Sequence, residues 1–292
     1  MNESLRSSFN SISPSAKWLL LNKGLTKIPF AKEAVEVIWN NNNPDLFKEN
    51  EFTKNIILRL IYFEIRYWSI NEAIEELGIH NILEFSSGYS FRGLDLCKNP
   101  DIYYVDTDLP RLLKKKEKVL HELVNKYVSY STSNLIMQEL NVLDENAFFE
   151  ITHQFPEGPI VIANEGLLVY LDIEQKRRLC SNIHKILKER GGYWVTADIN
   201  IKKDENSSLN IDIFDDRGKN FLEIHNVEEN KFKNYEVAEN FFNDCRFNVY
   251  KKIEPNPARI SSRKYLSKIP RDILEQLKNR KKTRQTWILA IQ

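Results

Sequence analysis

The chain lacks most of the features that assign a protein to a specialised class. Its cysteines number only 3 in 292 residues. Cys97, Cys180 and Cys245 lie far apart, with no CxxC pair and no metal-ligand spacing, which argues against a disulfide framework and a structural metal and for a reducing compartment. Neither sign of charge is in excess, since 42 Lys and Arg face 41 Asp and Glu and leave a net charge of +1. Nothing global therefore points to a nucleic-acid partner. No stretch approaches the roughly 18 apolar residues a membrane span requires, and the N-terminus has no apolar core of signal-peptide length. There is no internal repeat and no low-complexity tract long enough to matter. The expectation is a soluble cytoplasmic protein with no membrane contact.

What is present is a core and an alternation. Hydrophobic residues make up 42% of the chain, enough to bury a full interior. Residues 1–13 are polar and Ser-rich. From Ser15 to about Asn40, Trp18, Leu21, Leu25, Ala34, Val37 and Ile38 recur at helical spacing, and Asn40 to Pro44 reads as a loop. A long helix is expected from Phe52 to Leu77, with Ile56, Leu60, Phe63 and Ile74 inward and Gly78 as its C-terminal cap. Strands are then expected at 81–86, 102–107, 134–140, 159–163 and 193–199, with helices between them. Pro110 opens one of these helices; its inward face is read as Leu113, Leu120, Leu123 and Tyr127, and its Lys114, Lys115, Lys116 and Lys118 as a solvated face. Asp172 and Gln175 have the spacing of a capping box.

Past residue 200 the alternation stops. A polar excursion at 201–218 precedes a helix at 236–242, a strand at 246–253, a Leu/Lys helix near 270–282 and a last strand at 286–291. The expected fold is α/β: a seven-stranded, mostly parallel sheet covered by helices on both faces. Residues 1–78 are expected as a helical lid or side layer over the substrate. Residues 79–292 are expected as the ligand-binding domain, with a substrate-covering insertion at about 201–245.

In such a sheet, ligands bind beyond the carboxyl ends of the strands. Those ends carry Ser87 and Gly88, Asp106 and Asp108, Asn141 and Asp144, Asn164 and Glu165, and Asp198 and Asn200. The first turn, SSGYSFRG, is not the GxGxxG of a dinucleotide site. A rim of acids and amides with few lysines suits hydroxyls, an adenine amine and a positive centre better than a pyrophosphate. That chemistry points to a nucleoside with a cationic centre, S-adenosylmethionine.

Four segments then carry a resemblance: LEFSSGYSFRGL (83–94), YYVDTDLP (103–110), QELNVLD (138–144) and NEGLLVYL (164–171) followed by a helix and GGYWVTAD. In this order the sequence resembles the leucine carboxyl methyltransferase family, class I S-adenosylmethionine-dependent O-methyltransferases that include polyketide O-methyltransferases. The resemblance covers about residues 80–200. It implies a Rossmann-like methyltransferase fold and roles for particular residues. Gly88 would lie beneath the methionine part of the cofactor. Asp108, or Asp106 beside it, would hold the ribose hydroxyls. Asn141 and Val142 would border the adenine, although family members often have Asp at the position of Asn141. Glu165 would face the amino end. Arg59 would pair with the cofactor carboxylate, with Arg66 as its competitor and Lys17 as a helper.

No catalytic residue is assigned, because His80, His121, His153, His184 and His225 all lie outside the strand-end segments. A carboxylate acceptor is already ionised and needs no general base. The expected activity is methyl transfer to a carboxylate or acidic hydroxyl of a small metabolite, with S-adenosylhomocysteine as product and no metal. A protein C-terminal carboxylate as acceptor, or a non-catalytic nucleoside-binding role, are the alternatives.

Overall fold

A computed structural model of the chain describes residues 13–39, 48–202, 220 and 222–292. The expected tail before residue 13, the loop beginning at Asn40 and nearly all of the expected excursion at 201–218 lie outside the described residues. Two short helices, α1 (Ser13–Lys23) and α2 (Ala31–Trp39), precede the long α3 (Lys54–Leu77). Thr53 caps α3 at its N-terminus by accepting from the Ile56 amide, and Gly78 closes it in the left-handed conformation.

The alternating region follows closely as the sequence pattern requires. It runs β1 (Asn81–Phe85), α4 (Arg92–Leu96), β2 (Tyr103–Asp108), α5 (Pro110–Tyr127), β3 (Leu135–Glu139), α6 (Glu145–Thr152), β4 (Ile160–Asn164), α7 (Ile173–Arg190) and β5 (Gly192–Asn200). After it come α8 (Tyr235–Asp244), β6 (Phe247–Ile253), a 3₁₀ segment (Ser261–Lys268), α9 (Arg271–Lys278) and β7 (Arg284–Ile291). The Asp172–Gln175 capping box opens α7.

The seven strands form one sheet in the order β3-β2-β1-β4-β5-β7-β6. The first five are parallel, and β7 runs antiparallel to both β5 and β6. Successive strands step outward one way from β1 to β3 and the other way from β4 onward, so the direction of winding reverses between β1 and β4. That switch opens a crevice at the carboxyl ends of these two strands. Because β7 is reversed, its first residue, Arg284, stands opposite Asn200 at the same rim.

Both sheet faces are covered. On one, Ile70, Ala73 and Ile74 of α3 pack against Ile82, Tyr104, Val161, Val195 and Ile288. On the other, α6, α7 and α8 pack against Leu83, Phe85, Ile162, Trp194, Trp287 and Leu289. The C-terminal half of α3 is thus a layer of the sheet rather than a lid over it. Its N-terminal half, through Ile56, Ile57 and Leu60, meets Tyr265 and Ile269.

The helix after Pro110 turns a different stripe inward from the one expected. Its inward stripe is Leu112, Leu113, Lys116, Val119 and Leu123. Lys116 is completely buried, whereas Tyr127 is exposed. Lys116 falls on the apolar stripe because Asp106 waits there to neutralise it, as described next.

Candidate functional site

The first loop is shaped by backbone conformation. Ser86 and Gly88 both adopt positive φ, +53° and +57°. The Ser87 amide donates to Thr107 O at 3.1 Å, tying the loop to the end of β2. A Cβ added at Gly88 would meet only Ala16 Cβ, at 3.9 Å, so the N-terminal part of α1 forms a roof over this turn.

The two acids of β2 are separated by what they bind. Asp106 accepts from Lys116 Nζ at 2.6 and 2.8 Å and from Ser87 Oγ at 2.5 Å. Burial outweighs the downward pull of Lys116 and leaves its carboxyl raised to about 6. Asp106 is spent on this internal pair. Asp108, two residues further along the same face, accepts from the Gly88 amide and the Leu109 amide, each at 2.7 Å. Burial raises its pKa and those amides lower it. Each of its oxygens takes one of these backbone bonds and retains a second lone pair. Asp108 is therefore the strand-end acid suited to a pair of vicinal hydroxyls.

Glu165, just past β4, is ringed by cations. Lys23 Nζ lies at 2.9 Å, Arg92 NH2 at 3.1 Å and Arg66 Nε at 3.6 Å. Burial alone would raise the Glu165 pKa, but the three cations outweigh it and hold the carboxyl at about 2. Arg92 is fully buried and also donates to Glu84 Oε1 at 3.1 Å and Tyr67 O at 2.8 Å, and it contacts Asn71 Oδ1. Arg92 is thus a buried post that fixes Glu165 against β1. Arg66 is less well satisfied: its Nε is buried without a hydrogen-bond partner, and its NH2 stands 4.0 Å from Asp198 Oδ1.

Asp198, expected at the rim, is consumed by the turn after β4. It accepts from Asn164 Nδ2 at 2.8 Å and from the amides of Gly166, Leu167 and Leu168 at 2.7, 2.6 and 3.2 Å. Asn164 is in turn held by Trp194 Nε1 at 2.8 Å. These residues set the position of Glu165.

The structure places Gly88, Asp108 and Glu165 at or just past the carboxyl ends of the neighbouring strands β1, β2 and β4. It places Lys17 outside: its side chain is exposed and its ammonium lies 5.8 Å from the Trp39 ring centroid. Arg59 is buried against Trp18, with its guanidinium 5.0 Å from that ring. The basic groups that reach Glu165 from the N-terminal helices are Lys23, the last residue of α1, and Arg66, the arginine weighed against Arg59 for the cofactor carboxylate. Asn141 turns its own loop, with Oδ1 accepting from the Leu143 amide at 3.1 Å, and the buried Val142 offers its carbonyl to Asn182.

The rim of acids and amides with few lysines also receives Lys23, Arg66 and Arg92 from α1, α3 and α4, and Arg284 from the start of β7. One signal was available: Arg59, Phe63, Arg66, Ile70 and Ile74 share a helical stripe, and an arginine on a buried stripe needs a partner. His225 also lies nearer the rim than its place in the sequence implied, with its ring 6.0 Å from that of Tyr170 and edge-on to it. Among the described residues no group of His, Cys, Asp or Glu is arranged to hold a metal ion, and no helix is long and apolar enough to cross a membrane.

No family model and no curated protein matches the chain. Among solved structures, it is similar to the mitomycin 7-O-methyltransferase MmcR, with 10% identity and a TM-score of 0.49 over 82% of this chain and 56% of that one. It is also similar to LaPhzM, with 11% identity and a TM-score of 0.47 over 89% and 69% of the two chains. A third is PigF, solved with SAH, with 10% identity and a TM-score of 0.47 over 89% and 68%. The chain spans 43% of the length of a pericyclic reaction enzyme that it also resembles, at 10% identity and a TM-score of 0.45 over 73% of this chain.

Proposed function

We propose that the chain is an S-adenosylmethionine-dependent O-methyltransferase acting on a carboxylate or acidic hydroxyl of a small metabolite. One observation carries the reading: Asp108, with one lone pair left on each carboxylate oxygen, and the Glu165, Lys23 and Arg66 cluster sit two strand steps apart across the winding reversal. Asp108 ends β2 and Glu165 follows β4, with β1 between them. At about 4.8 Å per step that is about 10 Å of lateral separation.

The residues fit the cofactor group by group. Asp108 supplies two acceptor oxygens for the ribose diol. Glu165 is ionised at any physiological pH and suits an ammonium. Lys23 and Arg66 suit the neighbouring carboxylate, and the buried Arg66 Nε, 3.6 Å from Glu165 Oε1, makes no hydrogen bond. Gly88 keeps the floor of the loop free of side chain. Asn141 and Val142 are left to border the adenine, as the resemblance implies.

When bound, the cofactor supplies an electrophilic methyl: an acceptor oxygen forms the new O–C bond as the C–S bond breaks, and the sulfur keeps the electron pair. The chain's part is positioning. It must hold the acceptor oxygen about 3 Å from the methyl carbon, in line, and exclude water. A carboxylate acceptor reacts as it stands, whereas a hydroxyl must first lose its proton. His225 is the histidine beside the Tyr170 turn, and burial lowers its pKa, so it is neutral and able to accept a proton near neutral pH.

Isothermal titration tests the proposal. S-adenosylhomocysteine is expected to bind and NAD is not. Asp108→Ala is expected to weaken S-adenosylhomocysteine by about 100-fold, the loss of two hydrogen bonds to a charged group. Binding of NAD alone excludes the proposal, and unchanged affinity in Asp108→Ala places the sugar elsewhere.

A further inference from the structure

The proposed reaction accounts for Lys23, Arg66 and Glu165 but not for Arg284. This residue opens β7 at the carboxyl rim, opposite Asn200. Its guanidinium lies 5.2 Å from the Tyr62 ring centroid, and that of Arg66 lies 5.5 Å from the same ring. Among the described residues its one hydrogen bond runs from NH1 to Ala197 O at 3.2 Å, which leaves most of a five-donor fork unused.

Charge balance makes this a site rather than a spare side chain. Among the described residues, four cations, Lys23, Arg66, Arg92 and Arg284, gather at the rim beside three carboxylates, Glu84 of β1, Glu165 and Asp198. Asp198 is already engaged by the amides of the turn after β4. A zwitterionic amino-acid tail adds no net charge, and a sulfonium adds one more positive charge. Cofactor binding therefore leaves the positive surplus in place. A buried or half-buried surplus of this kind is relieved by an anion.

We infer that Arg284, against the Tyr62 ring, anchors an anionic group of the methyl acceptor, and that this group is not the one methylated. The inference rests on the proposed cofactor position. The transferred methyl would lie between the sugar and the amino-acid tail, over β1. In the order β1-β4-β5-β7, Arg284 is three strand steps from β1, about 14 Å at the backbone. An attacking oxygen must come within about 3 Å of the methyl carbon. The bond to Ala197 O holds the fork over β5, two strand steps or about 10 Å from β1, so an anion at hydrogen-bond distance from it stays out of attacking range. Charge neutralisation by a guanidinium would also blunt it as a nucleophile. The acceptor class is thus bifunctional: an acid at one end, held by Arg284, and a separate carboxylate or acidic hydroxyl at the other. The Tyr62 ring beside the fork favours an aromatic or flat acyl body between them.

Two assays test this, one of them independent of methyl transfer. In the first, thermal unfolding of the wild-type protein and of Arg284→Gln is followed with benzoate and with benzamide. Benzoate is expected to raise the wild-type midpoint, benzamide is not, and Arg284→Gln is expected to lose the benzoate response. In the second, labelled S-adenosylmethionine is supplied with hydroxybenzoic acids and their methyl esters. Label is expected on the acids in preference to the esters. Arg284→Gln is expected to raise KM for the acid by about 30-fold, with the loss in KM rather than kcat, while S-adenosylhomocysteine affinity is held.

Arg284→Lys keeps the charge without the fork and is expected to fall between; it also serves if the glutamine variant folds poorly. Benzoate acting equally on wild type and variant overturns the inference. So does equal methylation of acids and esters, or a parallel loss of S-adenosylhomocysteine binding in Arg284→Gln. If no hydroxybenzoate is methylated, the benzoate response decides. If wild type fails to bind S-adenosylhomocysteine yet shows the Arg284-dependent benzoate response, the methyltransferase reading fails and the anion site stands.

Discussion

Glu165 shows at the scale of one residue how stability and binding share the same charges. Its carboxyl is held at about 2 in the folded chain, against 4.5 for an ordinary glutamate. A depressed carboxyl stabilises the fold above its unfolded pKa, and that contribution drains away as pH falls from about 4.5 toward about 2. The shift corresponds to about 3 kcal/mol. Glu165→Gln is expected to be destabilised by about that much at pH 7, with the gap to wild type closing as the pH drops to 3. Chemical denaturation at pH 7, 5, 4 and 3 measures it, and a gap that stays constant over this range shows that the cations do not depend on the Glu165 charge.

The same residue marks what was legible in the sequence. Gly88, Asp108 and Glu165 could be named because each follows directly from the end of a strand. Lys23 and Arg66 were harder, because their partner lies across more than a hundred intervening positions for Lys23 and nearly as many for Arg66. Lys116 was misread for a related reason. A lysine inside the run Lys114, Lys115, Lys116, Lys118 looks solvated, and only the tertiary position of Asp106 shows that the third of these is buried and paired.

At the scale of an element, the turn after β4 is held by more constraints than its length suggests. Asp198 gathers three of its amides, and Gly166 takes φ +86° within it. A Cβ at Gly166 would stand 2.6 Å from Arg66 NH2. The arginine tip can swing aside, but the backbone conformation is one that an L side chain rarely adopts. Gly166→Ala is accordingly expected to cost about 1–3 kcal/mol of stability from backbone strain. Because the displaced group is Arg66, S-adenosylhomocysteine affinity is expected to fall as well, by an order of magnitude, about 1.4 kcal/mol. Titration and denaturation of the same preparation separate the two effects. Lost stability with unchanged affinity removes Arg66 from the ligand site.

Elements themselves were read well where their signals are local. The capping box of α7, the Gly78 stop of α3 and the Pro110 start of α5 are all written in short stretches. The place of α3 was not. A helix that precedes the first strand gives no local sign of whether it roofs the sheet or layers it. The decision lies in Ile70, Ala73 and Ile74 meeting strands that follow in sequence. The antiparallel β7 was equally hidden, and with it the arrival of Arg284 at the carboxyl rim.

The whole molecule couples these pieces because the proposed ligand touches segments that share no local structure. Lys23 belongs to α1, Asp108 to β2, Arg66 to α3 and Glu165 to the turn after β4. The helix α1 is outside the sheet and joins the rest through Leu20 in a cluster with α2, α5 and Tyr67, and through the Lys23–Glu165 pair. A ligand that binds only the folded state adds RT ln(1 + [L]/Kd), about 2.7 kcal/mol at a hundredfold excess over Kd. S-adenosylhomocysteine at that excess is expected to raise the global unfolding free energy by this amount. It is also expected to slow amide exchange in the last turn of α1 and in the Ser86–Gly88 loop by more than in β6, which lies at the far edge of the sheet. In Lys23→Met the added protection of α1 is expected to vanish while that of the Ser86–Gly88 loop persists, since the sugar end is anchored separately by Asp108. If S-adenosylhomocysteine protects α1 equally in both proteins, the helix is held by packing alone, and the amino-acid tail of the ligand is not on Lys23.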